Sequence, residues 1–237
     1  MHYQPITPAF GALVEDLDVT QLTRPELRRL YELWQQKQVL VLRRPRADRQ
    51  ALRQFVASLG DGEALPGVAP AETLWNADQS TSERPSFGCL LHNVEAPPAG
   101  GALWLSCLPA ALHFMPPDLV ARLRWMALQH GPQVHPLVVM QPETGEPTLY
   151  LGQRRGARVL GVSEQESERL LNIVWSYATA DAVTWRHRWQ PGDVVLWNNL
   201  TMLHRHEAVP AGAARVLEGW RLKCRYTLTS PIQQEAA

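Results

Sequence analysis

From residue 74 onward the chain is made of short apolar runs, among them FGCLLHNVE, ALWLSCL, HPLVVM and TLYLG, each cut off within a few residues by proline or glycine. Runs of this length suit strands rather than helices, so the larger part of the chain reads as β-rich. Two helical stretches interrupt it. One covers about 116–126, and the other opens on the capping box Ser163-Glu164-Gln165-Glu166 and carries Leu170, Leu171 and Val174 on one face. Beyond them come an extended segment at 183–189, the turn Pro191-Gly192-Asp193, an apolar strand at 194–197 and a last strand near 220–228.

The first 60 residues read differently. Thr23-Arg24-Pro25-Glu26 is a capping box with proline in the first turn, and Leu27, Leu30, Tyr31 and Trp34 then share a helical face. Val39-Leu40-Val41-Leu42 suits a buried strand, and Ala51, Leu52, Phe55, Val56 and Leu59 repeat the helical spacing. Residues 60–73, GDGEALPGVAPAET, have no periodicity and read as a loop, a candidate lid over a site. The pattern predicts an α+β fold in one domain over 1–237. Residues 1–60 form a helix-strand-helix support, and residues 74–230 a jelly-roll barrel with a helical insert.

Charge narrows the function. Lys+Arg and Asp+Glu are each 23, so the formal net charge is zero and nothing draws the chain to nucleic acid or an anionic membrane. Cys89, Cys107 and Cys224 stand far apart without metal-ligand or disulfide spacing, which suits a reducing compartment. The start, MHYQPITPAF, has no basic segment followed by an apolar one, and no run approaches the roughly 20 apolar residues of a membrane span. A cytoplasmic protein with a small-molecule partner is expected; a homo-oligomer is compatible with the sequence.

Two places can carry chemistry. Asn76 and Asp78 in WNADQS lie two apart on an extended segment and so point to one side, where a pair can converge on one centre. His204 follows the strand at 194–197; taken alone, a histidine there more often satisfies a structural hydrogen bond than binds a metal.

Taken together, WNADQS, ERPSFGCLLHNVEAPPAGG, VHPLVVMQPETG, GVSEQESERLLNIVW, RHRWQPGDVVLWNNLTMLHRH and RLKCRYTL resemble, in order, the taurine/2,4-dichlorophenoxyacetate dioxygenase family. FGALVEDLD and QVLVLRRP resemble its N-terminal region, so the likeness spans nearly the whole chain except a shortened 60–73. The resemblance implies a double-stranded β-helix, cupin-like, and an oxygenase dependent on Fe(II) and 2-oxoglutarate. The metal would sit on a His-x-Asp…His facial triad that leaves positions for the keto acid and dioxygen. Oxidative decarboxylation to succinate would drive removal of a hydrogen from a small metabolite, an anionic one being among the candidates.

Carried onto this chain, the triad becomes Asn76, Asp78 and His204, with Asn76 in place of the first histidine. A neutral amide oxygen is a weaker donor than imidazole, so weak iron binding is expected. Halogenase members lose the carboxylate instead, and Asp78 is kept. Leu103 in Gly100-Gly101-Ala102-Leu103 stands where the family has a threonine that helps hold 2-oxoglutarate, and it cannot donate that bond. The family's arginine for the far carboxylate is assigned first to Arg225 and second to Arg221, which with Lys223 alternate onto one face. Asn198 replaces the usual acid of Trp-Asp-Asn and is expected to alter hydrogen bonding near His204. His92 is considered as a substitute ligand facing the barrel interior, although a core role suits it better. His206 is assigned to the surface or to the support of His204, and Trp75 and Trp197 to the core; Arg154, Arg155 and Arg205 could bind an anionic substrate group, but the ordinary reading of each is an exposed arginine. The double loss at Asn76 and Leu103 opens two rival readings. In one the pocket has left iron oxidation for binding or non-oxidative chemistry; in the other the chain is a silent partner of an active oxygenase.

Overall fold

The computed structural model describes residues 2–67, 71–97 and 99–231. The N-terminal third contains β1 (Tyr3–Pro5), β2 (Ala12–Val14), α1 (Arg24–Lys37), β3 (Val39–Leu42), α2 (Arg49–Leu59) and β4 (Gly62–Ala64). The middle holds β5 (Ser86–Glu95), β6 (Leu103–Cys107), α3 (Leu108–Phe114), α4 (Pro117–Leu123), β7 (Ala127–His130), β8 (Gln133–Pro136), β9 (Val138–Met140), β10 (Pro147–Leu149) and β11 (Ala157–Val159). The remainder is α5 (Glu164–Ala178), β12 (Thr184–His187), β13 (Val194–Asn198), β14 (Met202–His206) and β15 (Val216–Lys223).

The expected capping box of α1 forms in both directions. Glu26 N–H donates to Thr23 Oγ1 at 3.4 Å, and Thr23 N–H donates to Glu26 Oε2 at 2.9 Å. Ser163 caps α5 in the same sense, its Oγ accepting from Glu166 N–H at 3.2 Å.

One sheet has seven strands in the order β1-β2-β3-β13-β5-β15-β4, and a second has three, β12-β6-β14. Smaller sheets join β11-β7-β8 and β10-β9. Within the large sheet β2–β3 is parallel and the other pairings are antiparallel. β13 and β5 are apolar almost continuously because both faces of their sheet are covered. Val194, Leu196, Leu40, Leu42 and Leu90 pack with Trp34, Leu52 and Phe55 of the N-terminal helices. Val195, Trp197, Val39, Val41, Cys89 and Leu91 pack with Leu103 and Leu105 of β6 in the second sheet. The helix side admits Trp34 only because residue 88 is glycine: a Cβ there would lie 2.7 Å from the indole.

Several expectations shift. Segment 60–73 is not all loop: β4 pairs with β15, Ala64 opposite Trp220, Glu63 opposite Arg221 and Gly62 opposite Leu222, while residues 68–70 lie outside the described residues. The last strand spans Val216–Lys223, earlier than expected, with register shifts after Val216 and Leu222. Helix α3 was not anticipated, because its seven residues are too few to show a period; the second helix is Pro117–Leu123. The three cysteines are free and buried. Among the described residues no helix is long and apolar enough to cross a membrane.

Candidate functional site

The segment before β5 runs beside β14. Asn76 N–H donates to His204 O and His204 N–H to Asn76 O, both at 2.9 Å, so the two residues face each other across an antiparallel bridge. The same alternation sorts β14. His204 and His206 are each 5% exposed on the inner side, their ring centroids 5.9 Å apart, and Trp197 lies 5.1 Å from His204. Arg205 is on the other face, its guanidinium 5.3 Å from the Trp75 ring and 4.8 Å from the Trp104 ring, with Glu72 Oε1 at 3.7 Å. It therefore lies on the face of β14 away from His204.

Asp78 is fixed by its backbone. Its N–H donates to Asn199 Oδ1 at 2.9 Å, and Asn199 Nδ2 donates to Asp78 O and to Ser86 O, each at 3.0 Å. The chain then turns sharply, with Gln79 in the left-handed region at φ +56° and its side-chain oxygen accepting from Ser86 Oγ at 2.8 Å. This leaves the Asp78 carboxylate 3.8 Å (Oδ1) from His204 Nε2 and 4.0 Å (Oδ2) from Arg221 Nε; Arg221 also reaches Glu63 Oε1 at 3.5 Å. Burial, with the negative charge of Asp78 nearby, raises the pKa of the Cys89 thiol well above the ordinary range. Burial lowers the pKa of His204, the Asp78 charge opposing it, so His204 is neutral at pH 7 with a lone pair to offer.

A divalent cation would take Asp78 and His204 as two donors. Ligands each about 2.1 Å from an ion and at right angles stand about 3 Å apart, so the observed gap closes with a small side-chain rotation. Asn76 does not complete the set as a histidine would. Its Nδ2 donates to Leu74 O at 2.9 Å and His204 O at 3.3 Å, which ties the amide to the backbone and leaves only its neutral oxygen to offer. No group of three His, Cys, Asp or Glu residues among those described is arranged to hold a metal ion. The chain thus fits a weak two-donor cation site and does not fit three strong donors.

Other candidates are spread out. Leu103 is fully buried at the start of β6, opposite His206 on β14 and His187 on β12. Arg221 is at the centre, but Arg225 is not. The strand ends at Lys223, the alternation stops with it, and Arg225 lies exposed in a hollow with Tyr31, Glu143 and Tyr226. His92 faces the helices, its Nδ1 3.7 Å from Glu218, so it does not replace the missing ligand. Asn198 turns away from His204 and donates to Gln35 Oε1 at 3.1 Å. Arg154 is bound to Glu168 and Asn172 on α5, and Arg155 is exposed.

Sequence reasoning missed Asn199, Cys89 and Arg215. Asn199 had a signal in the Asn-Asn doublet, but which of the two faces the site depends on the corner between β13 and β14. Arg215 had none, because it precedes the last strand. It is 7% exposed, donates to Gly101 O at 3.0 Å and lies close enough to His206 to depress that residue's pKa.

Residues 60–221 match the family model described as taurine catabolism dioxygenase TauD, TfdA family. The chain belongs to that family. The alpha-ketoglutarate-dependent 2,4-dichlorophenoxyacetate dioxygenase of Cupriavidus pinatubonensis is 26% identical over 271 residues, covering 90% of this chain and 94% of that protein. The pentalenolactone F synthase of Streptomyces arenae is 27% identical over 191 residues, covering 66% and 64%. Among solved structures, AAD-2 in complex with Mn(II) and N-oxalylglycine superposes with a TM-score of 0.89 at 21% identity, covering 96% of this chain and 99% of that one. A taurine dioxygenase from Burkholderia xenovorans gives 0.87 at 23% identity, covering 98% and 91%. These likenesses establish the fold of a TauD, TfdA family member; at such identity they assign no substrate.

Proposed function

We propose that this family member is a 2-oxoglutarate-dependent oxygenase of a small molecule, built on one double-stranded β-helix domain, with an Asn76/Asp78/His204 centre. The observation that carries the reading is the convergence of the Asp78 carboxylate and the neutral His204 imidazole at 3.8 Å, two donors of a divalent cation held on paired strands. Ferrous iron with 2-oxoglutarate would supply there the oxidising power to remove hydrogen from a bound substrate. Asn199 holds Asp78 in place through both of its backbone polar groups. Buried Arg215 and half-buried Arg221 supply positive charge for carboxylates, and a planar guanidinium meets a carboxylate with two parallel bonds. Arg215 takes the cosubstrate role first assigned to Arg225, and Leu103 contributes only apolar surface.

The test is an anaerobic titration with Fe(II) and 2-oxoglutarate, following the weak visible charge-transfer band of a chelated keto acid. The reading expects a band that saturates at one iron per chain and is lost in Asp78→Ala and His204→Ala. One specific observation favours a second reading: the backbone-tied Asn76 amide removes a strong donor, which suits binding or non-oxidative chemistry in the same pocket. That reading expects no band in the natural protein, its appearance in Asn76→His, and ligand binding indifferent to a chelator.

A further inference from the structure

The segment that carries Asn76 and Asp78 pairs with β14 out of step. Asn76 and His204 exchange both of their main-chain hydrogen bonds, so a regular antiparallel ladder would set Leu74 opposite His206. Thr73 stands there instead. Its N–H donates to His206 O at 3.0 Å, and His206 N–H donates to Thr73 Oγ1 at 2.8 Å. Leu74 and Trp75 together therefore oppose the single residue Arg205, two residues against one, which is the pattern of a β-bulge. Beyond the bulge the side chains alternate: Ala77 is buried with Leu203 in a cluster against which Trp75 also packs, and Asn76 and Asp78 take the opposite face, toward His204. A slip of one residue would exchange the two pairs and turn the Asp78 carboxylate away from His204, so the bulge decides which residues form the centre.

Little in the bulge itself holds it. Leu74 is 76% exposed and anchors nothing. Trp75 is covered by the Arg205 guanidinium at 5.3 Å from its ring, and the same guanidinium lies 4.8 Å from the ring of Trp104, the residue opposite Arg205 on β6. Trp104 is in turn fixed in place: its Nε1 donates to Glu207 Oε1 at 2.6 Å, and Arg186 meets both oxygens of Glu207. Polar contacts do not account for the position of Arg205. Its Nε has no hydrogen-bond partner among the described residues, and its ion pair reaches Glu72, 63% exposed, at 3.7 Å, where solvent screening leaves little attraction. The two ring faces therefore carry the attachment, and through them Arg205 ties the bulge to β6.

We propose that Arg205 is a positioning residue: stacked against Trp75 and Trp104, it holds the bulge in register and so keeps Asn76 and Asp78 turned toward His204. That this register serves a cation rests on the function proposed above; the register itself does not. The test is residue-resolved amide hydrogen exchange by NMR on the metal-free full chain, with a Mn(II) titration beside it. Arg205→Ala is expected to speed exchange at Thr73 and Asn76 about tenfold or more, to leave Leu196 in β13 unchanged, and to weaken Mn(II) binding about tenfold. Arg205→Lys, which keeps a cation over the rings, is expected to restore exchange to within about threefold of the natural chain, and Glu72→Gln to change neither readout. Thr73 and Asn76 amides that stay within about threefold in Arg205→Ala would overturn the proposal. So would exchange that rises equally at Leu196, the mark of a merely structural role, or faster local exchange with Mn(II) affinity unchanged. A natural chain that binds no Mn(II) would instead overturn the cation reading, and the exchange data alone would then decide the register. Should Arg205→Ala fail to fold by circular dichroism, Arg205→Met, which keeps the length of the side chain without its charge, takes its place under the same criteria.

Discussion

Replacing Asn199 by aspartate changes one buried group and leaves its shape, so the consequence can be worked through. The native amide accepts from Asp78 N–H and donates to Asp78 O and Ser86 O. In Asn199→Asp at neutral pH the acceptor survives, while both donors become a carboxylate oxygen set against two carbonyls. Two net hydrogen bonds at about 1 kcal/mol each, plus the cost of stranded buried acceptors, give a loss of about 3–5 kcal/mol. The variant can relieve part of this by taking a proton, which restores one donor. Its folded pKa is therefore raised above the unfolded value near 3.9, by about two units if protonation recovers about 2.7 kcal/mol. A raised carboxyl pKa contributes stability that is present at low pH and lost as pH rises through the folded value. The melting difference from the natural chain should thus be largest at pH 7.5, about 6–20 °C for a protein of this size, and shrink toward pH 5. Thermal denaturation followed by circular dichroism at both pH values measures it. A variant melting within about 2 °C of the natural protein at pH 7.5, or a difference that does not change with pH, would refute the clamp.

Three further outcomes follow from the geometry. Asn76→His should raise Mn(II) or Fe(II) affinity at least tenfold by calorimetric titration, because imidazole replaces a neutral amide at a position facing His204; unchanged affinity would place the cation elsewhere. His206 has its pKa lowered to about 3, by burial first and then by His204 and Arg215. With the unfolded value near 6.5, its contribution is intact above 6.5 and is lost as pH falls toward 3. Between pH 7.5 and 5 the natural chain should lose about 2 kcal/mol relative to His206→Gln, measured by urea denaturation, and parallel pH profiles would count against it. Gly88→Ala should destabilise by about 1–3 kcal/mol, since its Cβ would press on the Trp34 ring; a melting point equal to the natural one would show that the indole moves aside freely.

The elements legible in the sequence were those with a strong local cause. α1 and α5 announce themselves by caps and period, and β3 and β13 by apolar runs that only strands buried on both faces require. What escaped depended on partners distant in sequence. β4 is three exposed residues, GEA, defined by pairing with β15 and by nothing in their own composition. At the site, alternation on an extended segment paired Asn76 with Asp78, whereas His204 joined them only through the family resemblance, because its position opposite Asn76 depends on a strand pairing distant in sequence. Which arginine stands near them could not be named, because it depends on where β15 ends and on the register shift after Leu222. The distinct roles of Asn198 and Asn199 turn likewise on a corner whose geometry their identity does not reveal.

The surroundings of Asp78 explain how this fold keeps its shape around a partly buried carboxylate. A carboxylate at a metal centre is ordinarily balanced by the cation, and without it a partly buried anion destabilises the fold. Here the Asp78 side chain, 24% exposed, has Arg221 Nε at 4.0 Å on one oxygen and His204 Nε2 at 3.8 Å from the other. Its backbone is held by Asn199 without reference to any ion. The balance is therefore internal, and Arg221 competes with a cation for the same carboxylate. Removing that competitor by Arg221→Gln should tighten Mn(II) binding while lowering the metal-free melting point. The two effects have opposite signs because one charge serves both. If Arg221→Gln instead weakened Mn(II) binding, the guanidinium would be supporting the cation site rather than substituting for its charge.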